Sequence, residues 1–287
     1  MAKDTFLNRN PTPTLKLGTG LLDLSKAAVM GIINITPDSF FEASRHTELD
    51  AVLKKTEHFL KEGAKFIDIG GYSSRPGARN ITGDEELQRV VPVIEAISKN
   101  FPEAFLSVDT FRAKVARYSV QAGAHLINDI SGGELDPEMF PTVAELNVPY
   151  VLMHMKGTPQ NMQDAPSYEN ITLEVTDYFQ KKVHQLREMG VKDLILDPGF
   201  GFSKNLEHNY KLLQEMEDLH IFELPLLVGF SRKSMIYKSL NSSPDQSLNG
   251  SSVLNTIALL KGAKILRVHD VKEAVECITL IEKMQSA

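Results

Sequence analysis

A handful of polar residues, widely spaced in the chain, offers the chemistry to hold a flat heterocycle beside a phosphate group. Asp109, Asn128 and Asp197 each end a short apolar run, and two carboxylates with an amide can pair with an amino group, a ring NH and a carbonyl. Asp197 stands in LILDPGFGF, where an apolar stretch meets an acid and then a turn rich in proline and glycine. A desolvated carboxylate costs several kcal/mol unless it is paired, so an acid there belongs at the edge of the core, where a ligand can meet it. Phe200 and Phe202 add flat apolar faces. Asn34, Arg267 and His269 make a second group. Arg267 and His269, two residues apart, point the same way along an extended chain and form a small cationic site suited to phosphate. Asn34 supplies a hard oxygen of the kind Mg²⁺ accepts, with phosphate oxygens and waters completing the shell. Ser231 and Lys233 lie between the two groups. Each residue also has a plainer reading: Asn34 as a turn cap, Arg267 as a rim salt bridge, Asp129 as a cap before Ser131, and His154 as a satisfied core histidine.

The elements that must position these residues show themselves as a repeat. Gly63-Ala-Lys-Phe-Ile-Asp68, Gly123-Ala-His-Leu-Ile-Asn128 and Gly262-Ala-Lys-Ile-Leu-Arg267 share a glycine and alanine, two large apolar residues and a polar residue at one offset. Gly190 leads to Asp197 with two residues more. Each glycine follows an amphipathic stretch, as the residue just past a helix should, and each apolar run follows at once. Eight strands are expected at residues 29–35, 66–69, 105–108, 126–128, 150–153, 194–196, 226–228 and 265–268. Helical stripes separate them: Val52, Thr56, Phe59 and Leu60; Val175, Phe179, Val183, Leu186 and Met189; Val271, Ala274, Val275, Ile278 and Ile281. Alternating strands and helices point to an α/β chain, a (β/α)8 TIM barrel, whose chemistry sits at the C-terminal strand ends. The polar residues fall at those ends. A doubly wound sheet is the alternative, but no GxGxxG follows the first strand. Residues 15–24 read as a hairpin closing the barrel bottom, residues 1–14 as a flexible tail, and residues 15–287 as a single barrel domain. Segments 36–47 and 70–83 are long for connections of this kind and read as lids over the mouth.

Composition narrows the classes. The chain has 287 residues, 42% of them hydrophobic and 24% charged, as in an ordinary soluble globule. A net charge of −6 argues against a nucleic-acid surface while allowing a small basic pocket. Cys277 is the only cysteine, so no intramolecular disulfide forms, and its place in a helical stripe assigns it to packing. No apolar run has the length of a signal or a membrane span, which indicates a cytoplasmic enzyme with no membrane partner.

The stretches MGIINITPDSF, GGYSSRPGA, SVDTFRAKVA, LINDISGG, VLMHMKGTPQNMQ, LDPGFGFSKNLEHNY, LLVGFSRKSM and LRVHDV, in that order, resemble the dihydropteroate synthases of folate biosynthesis. The resemblance implies a transferase joining 6-hydroxymethyl-7,8-dihydropterin pyrophosphate to p-aminobenzoate, with Mg²⁺ as cofactor and a path in which pyrophosphate leaves first. It implies that Asp109, Asn128, Asp197 and Lys233 hold the pterin, with Met153 and Phe202 lining its slot. Asn34 would carry the metal, and Asn34, Arg267 and His269 the pyrophosphate. Ser74, Arg75, Pro76 and Ser231 would surround p-aminobenzoate, where sulfonamides compete. It also suggests a homodimer built from the later helices. The chain departs from the family pattern in three places. Phe41-Glu-Ala-Ser-Arg replaces a polar residue followed by Asp-Gly-Gly, Tyr72 stands where glutamate is usual, and Ser74 where threonine is usual. Two rival readings remain: a pterin-dependent methyltransferase acting on methyltetrahydrofolate, and a catalytically silent pterin-binding paralogue.

Overall fold

The computed structural model describes residues 13–35, 45–73, 79–162 and 166–287. A small antiparallel hairpin, β1 (Thr14–Leu17) and β2 (Gly20–Asp23), precedes the main body. There follow β3 (Ala28–Asn34), α1 (Arg45–Lys61), β4 (Phe66–Gly70), α2 (Gly83–Asn100), β5 (Phe105–Asp109), α3 (Ala113–Gln121), β6 (Leu126–Asp129), α4 (Met139–Leu146), β7 (Tyr150–Met153), α5 (Ile171–Glu188), β8 (Leu194–Asp197), α6 (Leu206–Gln214), β9 (Leu227–Val228), α7 (Ser234–Ser239), α8 (Leu248–Leu260), β10 (Ile265–Val268) and α9 (Val271–Gln285). All eight later strands pair in parallel, in the order β8-β7-β6-β5-β4-β3-β10-β9. The ends meet through one parallel bridge between Leu196 and Leu226, so the sheet closes into the expected barrel.

The seventh barrel strand is shorter than residues 226–228. Pro225 has no N–H to give the ladder; its carbonyl instead accepts from the Leu196 amide at 2.9 Å. Three strands gain a terminal polar residue, which places Asp109, Asp129 and Asp197 inside the ladder. The expected tail reached residue 14, but Thr14 pairs with Asp23 in the hairpin. Met189 leaves the α5 stripe: it caps the helix and is 41% exposed, because the stripe ends one turn earlier at Leu186. The four repeat glycines, Gly63, Gly123, Gly190 and Gly262, all take positive φ where a helix turns into a strand.

Alternation along the strands separates two cores. Val29, Ile67, Ile69, Leu106, Val108, Ile127, Leu152, Leu194, Leu196, Leu266 and Val268 face the helices. Met30, Phe66, Leu126, Val151, Ile195, Leu227 and Ile265 face inward and plug the lower barrel together with Leu15, Leu17 and Leu24 of the hairpin. The hairpin therefore stoppers the N-terminal end. A side chain an even number of residues beyond any plug residue also faces inward. By that rule the plug residues Met30, Phe66, Leu126, Val151, Ile195 and Ile265 are followed by Asn34, Asp68, Asn128, Met153, Asp197 and Arg267, all in the upper layer. Phe105, packed against the plug, is followed in the same way by Asp109.

Candidate functional site

The ladder register turns this parity into a ring. Asn34 is paired with Gly70, Gly70 with Asp109, and Asp109 with Asn128. Gly70 leaves a gap between its neighbours: a Cβ there would lie 3.6 Å from Asn34 Oδ1 and 3.4 Å from Asp109 Cβ. On the far side Met153 is paired with Asp197. The Arg267 backbone lies opposite Met30, four residues below Asn34 on the neighbouring strand, and its long side chain reaches up to the ring. Asn34 therefore shares a row with Asp109, although its place on the strand beside that of Arg267 grouped those two in the sequence.

The centre of the ring is an ion-paired fork. Arg267 Nε donates to Asp68 Oδ2 at 2.6 Å, and Arg267 Nη2 donates to Asp109 Oδ2 at 2.5 Å. Asn128 Nδ2 donates to the same Asp68 oxygen at 3.0 Å. Asp68 is fully buried, and its other oxygen has no protein partner. The rim salt bridge foreseen for Arg267 is thus present, and it ties the expected phosphate group to the acids. Asp68 carries the arrangement, and the sequence marked it only as the polar residue closing one repeat, with no role in the site. Its signal was an acid inside the otherwise apolar run FIDIG.

Electrostatics follow from this geometry. Burial pushes the Asp109 carboxyl above its ordinary range; Arg267 opposes the rise, while Asp68 and Glu86 add to it. Burial likewise raises Asp197, against Lys233 and the Gly199 amide, which donates to Asp197 Oδ1 at 2.8 Å. Lys233 is lowered by burial to about 8, with Asp197 opposing the fall. Its ammonium donates to the Phe200 carbonyl and lies 4.8 Å from the Phe202 ring centroid. Two half-satisfied acids and an easily discharged lysine make a site whose charges are completed by a ligand with NH donors and a carbonyl.

His269 differs from the cationic expectation. Burial, then Arg267 and Arg232, lower it to about 4, so it is neutral in the ligand-free site. Its Nδ1 lies 3.1 Å from Ser231 Oγ, and its backbone N–H donates to that hydroxyl at 3.3 Å. Arg232, which pairs with Asp270 at 3.0 Å, stands beside them and supplies further positive charge.

Beside the ring, Met153 packs with Ile130, Met155 and Met162, and Phe111, Leu135 and Phe202 join them. This is an apolar wall next to Asn128 and Asp197. Tyr72, at one of the family departures, accepts from the Gln160 side chain and sets its ring edge-on to Phe111 at 4.9 Å. The Arg112 guanidinium covers both rings. Tyr72 thereby ties the segment after β4 to those after β5 and β7. Ser74, Arg75, Pro76 and the atypical stretch 41–44 lie outside the described residues. Asp129 faces the helices and accepts from the amides of Ser131 and Gly133 and from Tyr150 Oη, as its capping reading had it. His154 is buried, with burial holding it well below its usual pKa.

Comparison with known proteins agrees with this geometry. Residues 30–269 match the family described as pterin binding enzyme. Dihydropteroate synthase of Escherichia coli K12 is 48% identical over 268 residues, covering 93% of this chain and 94% of that one. The Yersinia pestis dihydropteroate synthase, solved with a sulfonamide drug complex, superposes with a TM-score of 0.90 at 47% identity over 96% of this chain and 100% of that one. The Xanthomonas albilineans enzyme in complex with 7,8-dihydropteroate gives 0.85 at 36% identity, over the same shares. A polar ring at the barrel mouth and relatives matching nearly end to end lead to one conclusion: the chain belongs to the pterin binding enzyme family, among its dihydropteroate synthases.

Proposed function

We propose that this chain joins 6-hydroxymethyl-7,8-dihydropterin pyrophosphate to p-aminobenzoate by a dissociative path governed by the Arg267 fork. Asp197, Asn128 and Lys233 hold the polar edge of the pterin, with Met153 and Phe202 against its faces. The bond from the pterin methylene carbon to the bridging oxygen breaks first, and its electron pair leaves with pyrophosphate. The positive charge left on the pterin is stabilised by Asp109 and Asp197, kept in place by Arg267 and the Gly199 amide. Arg267, Arg232 and His269 receive the leaving diphosphate. The aniline nitrogen of p-aminobenzoate then attacks the methylene and loses a proton to solvent or to the departing diphosphate. Such a weakly basic amine needs no strong general base.

The observation that carries this reading is that Arg267 touches both Asp68 and Asp109, so the group that meets the leaving anion also sets Asp109, one of the two acids that meet the cation. Asn34 fits a Mg²⁺ site, because its amide oxygen lies in the Gly70 gap beside the Asp109 carboxylate, a hard-oxygen set. When bound there, the ion supplies charge neutralisation of the diphosphate. Ser74, Arg75, Pro76 and Ser231 are assigned to p-aminobenzoate, and sulfonamides to the same place. Among the described residues no helix is long and apolar enough to cross a membrane. Val253, Ile257 and Leu260 on α8 and Leu280 and Met284 on α9 are exposed apolar side chains on two helices packed together, which supports a homodimer through this face.

The test is product formation. With both substrates and Mg²⁺ the chain is expected to release one pyrophosphate per 7,8-dihydropteroate. Methyl transfer from methyltetrahydrofolate, or pterin binding without product, would select one of the rivals.

A further inference from the structure

Lys204 is a lysine that the chemistry above does not use, and it is almost wholly buried at 3% exposure. Its ammonium reaches four acceptors. His154 Nδ1 and the Gly199 carbonyl lie at 3.0 Å, the Phe202 carbonyl at 3.1 Å and the His154 carbonyl at 3.3 Å. Burying an ammonium costs several kcal/mol unless such partners surround it. Burial lowers its pKa to about 7. His154 is held neutral, so its Nδ1 can accept.

The segment that Lys204 gathers is unusual. Gly199, Gly201 and Ser203 all have positive φ, at 70°, 82° and 47°. The carbonyls of Gly199 and Phe202 converge on Lys204, and that of Phe200 goes to Lys233. The loop is thus wound between two ammonium groups, one beneath it and one in the site. Ser203, the only residue of the three with a side chain, is tied down as well: its hydroxyl accepts from the Lys156 amide at 2.9 Å, and its carbonyl accepts from Tyr168 Oη at 3.0 Å. Gly199 cannot gain even a methyl group, since a Cβ would lie 2.1 Å from the His154 carbonyl oxygen. The loop therefore sits directly on the end of β7, and Lys204 fastens the two together.

We propose that Lys204 is a positioning residue for the pterin slot: by drawing the carbonyls of His154, Gly199 and Phe202 to one point, it fixes the loop that presents Phe202 and the partner of Lys233. It touches no substrate and acts through that loop. The diphosphate side, held by Arg267, Arg232 and His269, does not depend on it. This inference rests on the pterin reading given above.

Titration calorimetry separates the two sides. The pterin pyrophosphate substrate without p-aminobenzoate, and inorganic pyrophosphate alone, are each titrated into wild type, Lys204→Met and Lys204→Gln. Lys204→Met is expected to lose tenfold or more in affinity for the pterin substrate beyond any change in its affinity for pyrophosphate, which stays within threefold of wild type. Lys204→Gln, which keeps an N–H donor for the carbonyls, is expected to fall between the two. Equal losses for both ligands, or an unchanged pterin affinity in Lys204→Met, would overturn the proposal. If Lys204→Met does not fold, the same comparison on Lys204→Gln decides, and failure of both to fold would make Lys204 a determinant of the barrel and overturn the proposal too. Wild type that binds no pterin would defeat the site reading itself, an outcome distinct from the others.

Discussion

Arg267 is the residue on which the site turns, and its two contacts give it two consequences. Removing it leaves Asp68 buried and unpaired and Asp109 without its main counter-charge. Breaking a buried pair in this way costs about 3–5 kcal/mol. Arg267→Ala is therefore expected to lower stability by about 3 kcal/mol in urea unfolding, and to weaken pterin and pyrophosphate binding together. A variant that lost pyrophosphate alone would mean that the fork does not govern the acids. Lys233 gives a pH dependence. Its ammonium must be charged to donate to the pterin, and burial lowers its pKa to about 8 from an ordinary 10.5. The value of kcat/KM for the pterin substrate should thus fall tenfold per pH unit above about 8, while the acid limb lies above the ordinary carboxylate range because Asp109 is raised. An alkaline limb near 10.5 would refute the assignment. Residue types at strand ends were legible in the sequence, because a carboxylate closing an apolar run has few other uses. Their partners were not, since Asp68 and Arg267 are 199 positions apart and only barrel closure brings them together. Lys204 was missed because a lysine just before a helix is ordinarily exposed.

At the scale of elements, the barrel divides into a lower layer that stabilises and an upper layer that acts. Leu15 is 1% exposed and sits in the plug with Met30, Phe66 and Ile265. Leu15→Ala is expected to cost about 2–4 kcal/mol of stability. Below its melting temperature it should retain kcat and KM, as followed by urea unfolding and steady-state kinetics on one preparation. Changed kinetic constants in a well-folded variant would show that the two layers are not independent. The repeat of glycine, alanine and apolar pair located these elements well, because the helices of the repeated units end in a left-handed glycine before the strand begins. Ends were less legible. Pro225 shortens β9 through a bond it cannot make, and Met189 fits the α5 period but lies past the last turn that the sheet can cover.

For the whole molecule, eight repeated units implied closure, but closure rests on a single bridge between Leu196 and Leu226 beside a two-residue strand. The site spans this join, with Asp197 on one side and Ser231 to Lys233 on the other. The apolar face proposed for the dimer on α8 and α9 was not legible from the residues, since exposed apolar side chains on a helix that also packs on a barrel read simply as an apolar helix. Light scattering should give a dimer at micromolar concentration, and Ile257→Glu with Leu280→Glu should give a monomer. A wild-type monomer would remove the proposed interface.

The most direct test of the ring at the barrel mouth is a comparison of wild type with Asp109→Asn in forming 7,8-dihydropteroate from the two substrates with Mg²⁺, with circular dichroism and melting followed in parallel. The amide keeps the shape and removes the charge that stabilises the pterin cation. Wild type should turn over, and Asp109→Asn should be slower by about a hundredfold or more, in line with the loss of one stabilising group in a dry site, while still folded. An Asp109→Asn enzyme within a few-fold of wild type would contradict it.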